Sequence, residues 1–217
     1  MPEAGRNAPR LPPAVWLIPW AGLILLPSAG QGPIGSRLAV LFAELLLGLP
    51  LLIATPRVLR PQILPVPPLG RRWRWAAALL ALPVALLYQA LHIGMTRLLP
   101  GSTDAEQAVR LALTPGSLPE SLLIGSSLLL AAPVMEELFF RGLLPWLWQR
   151  RWRRGVVLGP ALVFALSHAS LPSLPSLLIL GLLLGWLRQR SGSLVPGMVL
   201  HFAVNLTGFL MLWLPNL

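Results

Sequence analysis

The sequence predicts an all-α fold, a polytopic transmembrane helix bundle of about seven spans with its N-terminus inside. Three observations carry that expectation. The 217 residues are 55% hydrophobic and only 11% charged, with a mean hydropathy of +0.72. The apolar residues gather in successive runs of bilayer-crossing length. The 17 basic residues are all arginines and, Arg141 apart, fall between those runs, mostly in clusters, as topogenic anchors do.

The same composition excludes several function classes. A net charge of +10 invites a nucleic-acid partner, but arginines confined to the ends of apolar runs anchor a chain in a membrane instead, so no nucleic acid is expected. With no cysteine there is no disulfide framework, thiolate metal site or cysteine nucleophile. Arginine to the exclusion of lysine, with abundant Ala, Leu, Pro and Gly, points to a GC-rich bacterial genome and hence to the inner (plasma) membrane.

Taken in order, residues 1–13 are Pro-rich with Arg6 and Arg10 and read as a flexible tail, and 14–217 as a single membrane-embedded domain. A first span runs from Ala14 to about Gly30. Its small-residue end, Ser28-Ala29-Gly30, also fits a signal-peptide cleavage site, but the topology works with the segment retained. A second span, about Leu38 to Thr55, carries Glu44 alone. The Arg-rich loop 56–74 contains the rigid Pro65-Val66-Pro67-Pro68. A third span, about Trp75 to Leu98, carries Tyr88 and His92, four residues apart and without an acidic neighbour, which reads as packing.

Thr103-Asp104-Ala105-Glu106 and Ser117-Leu118-Pro119-Glu120 are capping-box patterns, the second opening a helix expected from Leu118 to Gln149 with a kink at Pro133. Arg150, Arg151, Arg153 and Arg154 follow. A fifth span is expected from Gly155 to about Ser170. A short sixth covers about Leu174 to Leu187, with Gly181 and Gly185 at a spacing that permits close helix packing. The last runs from about Ser193 to Leu214. Arginine-rich ends alternate with arginine-poor ones, which puts the rich side in the cytoplasm.

Into this hydrocarbon the chain inserts Glu136, Glu137 and Arg141. Ionised groups in a membrane interior persist where they pair or line a functional cavity. Glu137 and Arg141 share one helix face, acid first, the favourable order for an ion pair. Glu136 points about 100° away without that partner, as a buried base would. The structural alternative is a salt bridge between packed helices. Glu136 lies 14 residues before Arg150, His168 14 after Arg154, and His201 11 after Arg190. At about 1.5 Å per residue, all three reach a common level about 16–21 Å from the cytoplasmic arginines. His201 and Asn205 share a face, as do Phe164 and His168. A hydrolytic or metal site, an ion or proton pathway, and purely structural roles all fit that convergence.

Glu136-Glu137-x-x-x-Arg141, Phe164-x-x-x-His168 and His201-x-x-x-Asn205, in order on successive apolar segments, resemble the three-motif signature of the CPBP intramembrane proteases. That family includes the type II CAAX prenyl endopeptidases and the bacterial abortive-infection (Abi) and bacteriocin-immunity proteins. The likeness covers a motif-bearing core of about 118–205. It implies a helical membrane core and an endopeptidase acting near the cytoplasmic face on a membrane-associated peptide or protein. Glu136, assisted by His168, would activate water. His201 and Asn205 would face the oxyanion, or His201 would join Glu136 and His168 around one zinc ion. Glu137, Arg141 and Phe164 would support them. The rivals are a non-enzymatic immunity or scaffold protein that keeps the fold, and a transporter, against which the lack of inverted repeats speaks.

Overall fold

The computed structural model describes residues 70–98, 122, 125–145, 155–168 and 170–213, and all its regular structure is helical. The first two apolar runs, Glu44, both capping boxes and the arginines of 150–154 lie outside the described residues.

Helix α1 spans Arg71–Leu98. Its buried positions Ala81, Ala85 and Gln89 recur every four residues and make one narrow stripe. Around the rest of the helix Leu79, Leu80, Leu82, Leu86 and Leu87 are exposed. A contiguous leucine face of this kind needs an apolar surrounding. The segment Trp75–Leu98 is, among the described residues, the one helix long and apolar enough to cross a membrane.

Residues 125–145 form one helical run with two changes of register, here called the motif helix. The short α2, Ala132–Glu136, is preceded by a π-helical turn, Ser127–Ala131, and followed by another, Glu137–Leu143. Ala131, Ala132, Glu136, Glu137 and Leu144 all keep right-handed helical backbone angles. The break expected at Pro133 is therefore a shift from i→i+4 to i→i+5 bonding within a continuing helix. Between Glu136 and Leu143 every residue but Leu138 is buried, so at this level the helix is enclosed by its neighbours.

Helix α3, Leu158–Ser167, is shorter than the fifth span expected from the sequence. Ten residues reach about 15 Å, half a bilayer core. It stops at His168, whose ring turns back to the last turn instead of continuing the helix. Helix α4, Leu174–Ser191, opens with Pro175 in its first turn. It ends on Gly192 in the left-handed conformation (φ 70°), whose N–H caps Arg188 O. Helix α5 is Val195–Trp213.

The principal packings are α5 on α1 and α3 on α4. The second uses the expected glycines. A Cβ on Gly181 would sit 3.1 Å from the Ala161 backbone, and one on Gly185 2.8 Å from Val157 Cγ1. The first uses Gln89, whose Nε2 donates to Val204 O (2.8 Å) and Thr207 Oγ1 (3.1 Å) on α5. His92 lies with Nδ1 2.8 Å from Ser176 Oγ and its ring stacked on Tyr88, so it ties α1 to α4 as the packing expectation has it. The apolar core, including Phe140, Leu143, Phe164, Leu180, Leu184 and Leu200, lies between the motif helix, α3, α4 and α5.

Candidate active site

The motif helix brings Glu136, Glu137 and Arg141 into this core, and α5 brings His201 against them. Glu137 is fully buried and Arg141 nearly so. Glu137 Oε1 lies 3.1 Å from Arg141 Nη1, the ion pair expected from the i,i+4 spacing. Arg141 also donates, at 3.4 Å, to Gly181 O on α4. Its guanidinium carbon stands 4.3 Å over the Phe164 ring, a cation–π contact. One cation is thus held by a carboxylate, a carbonyl and an aromatic face.

His201 lies between the two carboxylates. Its Nδ1 is 3.2 Å from Glu137 Oε1, and its Nε2 is 3.7 Å from Glu136 Oε2. A carboxylate can only accept, so Glu137 makes Nδ1 a donor and turns the Nε2 end of the ring toward Glu136. Glu136 Oε2 itself is buried without a hydrogen-bond partner among the described residues. Glu137 Oε2 is likewise without a hydrogen-bond partner among the described residues, so the two glutamates differ in their other contacts: Glu137 Oε1 is held by a cation and an imidazole, whereas Glu136 has only the imidazole beside it.

Phe164, fully buried on α3, joins the parts. Besides Arg141, its ring meets His168 edge-on at 4.8 Å and His201 edge-on at 5.9 Å. His168 is the least enclosed member, an exposed side chain at the end of α3. Its Nδ1 lies 2.8 Å from Phe164 O. A carbonyl cannot donate, so Nδ1 carries a proton, and in the neutral ring Nε2 is the nitrogen with the lone pair. Asn205, one turn beyond His201, donates through Nδ2 to Leu128 O at 2.9 Å.

Glu136 and His201 are adjacent donors of the kind zinc accepts. Among the described residues, however, no group of three His, Cys, Asp or Glu side chains converges as a metal site, and His168 meets the others through Phe164. The residues therefore do not fit the three-ligand zinc centre expected as one alternative, and the chemistry below uses the side chains alone.

Two elements of the site were not singled out from the sequence. Gly197 packs so closely that a Cβ there would lie 2.8 Å from Glu137 Oε2. The available signal was its position four residues before His201, hence on the same face of α5. The other is the Leu128 carbonyl, which no side-chain pattern announces. Beside the cluster, a cleft of about 310 Å³ opens between the motif helix, α3 and α4, lined in part by Arg141 and Arg188. Both guanidinium groups already have partners, Arg188 in Gly192 O.

No curated protein and no solved structure matches the chain. A family model does: type II CAAX prenyl endopeptidase Rce1-like, over residues 118–207. That interval runs from the start of the expected motif helix to the middle of α5 and contains Glu136, Glu137, Arg141, Phe164, His168, His201 and Asn205. Over residues 118–207, less than half of its length, the chain is thus similar to the Rce1-like type II CAAX prenyl endopeptidases, a family of membrane proteins.

Proposed function

We propose that the protein is an intramembrane endopeptidase that hydrolyses a peptide bond in a membrane-associated peptide or protein near the cytoplasmic face. The observation that carries this reading is the Glu136–His201 pair. A buried carboxylate oxygen without a hydrogen-bond partner faces an imidazole nitrogen 3.7 Å away, and the imidazole is oriented from behind by Glu137. Its occurrence within the family segment supports assigning it to peptide hydrolysis.

In this reading Glu136 takes a proton from water as the hydroxyl oxygen attacks the scissile carbonyl. The bond between carbonyl carbon and water oxygen forms, and the carbonyl π electrons move onto its oxygen. His201, as imidazolium, offers the Nε2–H to that oxyanion. When the tetrahedral intermediate collapses, the C–N bond breaks and the proton held by Glu136 passes to the departing amine. His168 assists through Nε2, the nitrogen left with a lone pair. Asn205 has one N–H engaged by Leu128 O, and its second is the one available to an oxyanion. Glu137 and Arg141 hold His201 and the motif helix in place.

The test is cleavage of an internally quenched, farnesylated CAAX peptide by the purified chain in lipid nanodiscs. The native chain is expected to cleave it, and Glu136→Gln to lose about 100-fold or more of that rate without a change in unfolding temperature. Equal cleavage by Glu136→Gln would remove Glu136 as the base.

A further inference from the structure

We infer that Asn205 is a positioning residue: its side-chain amide takes the place of the backbone N–H that Pro133 lacks, and thereby sets the register of Glu136 against His201. The argument is one of donors and acceptors in the π-helical turn Ser127–Ala131. Leu128 O can be reached within the helix by the N–H of residue 132, in α register, or of residue 133, in π register. The N–H of Ala132 donates to Ser127 O. Residue 133 is proline and has no N–H. Leu128 O is therefore an orphan carbonyl well before the C-terminal end of the motif helix, where orphan carbonyls normally occur.

Asn205 Nδ2 supplies the missing donor at 2.9 Å, from a helix 77 positions along the chain. His201 and Asn205 are one turn apart on α5, so a single face of α5 meets the motif helix at two levels. At one, His201 meets Glu136 and Glu137; at the other, Asn205 holds Leu128, eight residues before Glu136. A slide or rotation of the motif helix that displaced Glu136 from His201 would also break the Leu128 contact. The inference deepens the reading of Asn205 but does not need the protease assignment, since Asn205 acts through Leu128 and need not touch substrate.

The experiment is a cycle of four full-length chains in the same detergent: native, Asn205→Ala, Pro133→Ala and the double variant. Pro133→Ala restores an N–H at the position where one is missing. In the native background Asn205→Ala is expected to lower the unfolding temperature and to speed amide exchange across residues 127–137 by about tenfold. In the Pro133→Ala background the same change should have little effect. Turnover of the quenched farnesylated peptide should follow in part: kcat falls in Asn205→Ala with KM nearly unchanged, and the double variant recovers the share due to register while the share due to the oxyanion contact stays lost. Equal losses of stability, exchange protection and turnover in both backgrounds would overturn the proposal. Coupled stability with no recovery of turnover would overturn the link to Glu136. An inactive native chain counts against the protease reading alone, and the unfolding and exchange cycle then decides.

Discussion

Gly197 and Glu137 meet so closely that a methyl group on the glycine would lie 2.8 Å from the carboxylate Oε2. That carboxylate cannot withdraw freely, because Oε1 is held by Arg141 at 3.1 Å and by His201 at 3.2 Å. Gly197→Ala is therefore expected to destabilise the protein by about 1–3 kcal/mol, the usual cost of overpacking. Peptide cleavage should fall with it, as His201 is pushed off Glu136. Thermal unfolding and peptide turnover check this together; an alanine tolerated in both would mean the carboxylate yields.

The Glu137–Arg141 pair is buried at both ends. Removing one member leaves the other charge uncompensated, which costs about 3–5 kcal/mol. Glu137→Gln and Arg141→Met should each lower stability on that scale, and the double variant by clearly less than their sum. Additive losses in the double-variant cycle would show that the two charges do not interact.

The two histidines should separate stability from activity. His168 is exposed at the end of α3, whereas His201 is 3% exposed and touches two carboxylates. His168→Ala is expected to change stability by about 1 kcal/mol or less yet reduce turnover about 100-fold. His201→Ala should lose both. Unimpaired turnover in His168→Ala would confine that residue to capping α3.

Activity of the proposed protease should survive chelation. His168 meets Glu136 and His201 through Phe164, not as part of a three-ligand group. Incubation with 1,10-phenanthroline, followed by dialysis and the quenched-peptide assay, should leave the rate unchanged. A loss restored by zinc would require His168 to close onto the pair.

How far the site could be read from the sequence depended on the range of the contact. Glu137 and Arg141 are one helical turn apart, so spacing alone predicted their pairing. Counting residues from the arginine clusters predicted that Glu136 and His201 would share a level, and they lie 3.7 Å apart. Gly197, the Leu128 carbonyl and Gln89 depend on how separate helices are set against each other, and no local pattern encodes that. Phe164 was legible as a partner of His168 but not as a neighbour of Arg141 and His201, because its role arises only once α3 and α5 converge on the motif helix. The register shift around Pro133 was half legible: a proline removes a donor wherever it stands, but whether the helix bends or rewinds is settled by what lies nearby to satisfy the freed carbonyl.

Gln89 gives the family boundary a different meaning. It sits on α1, ahead of residue 118 where the family segment begins, yet its amide reaches Val204 O and Thr207 on the helix that carries His201. Gly208 leaves room for it, with Nε2 3.1 Å from where a Cβ would be. The segment that matches the family model and the set of helices that pack together are then not the same object. Cutting the chain at residue 118 would preserve every signature residue while removing the surface against which α5 is seated. Sequence outside the signature accordingly serves the site as a brace.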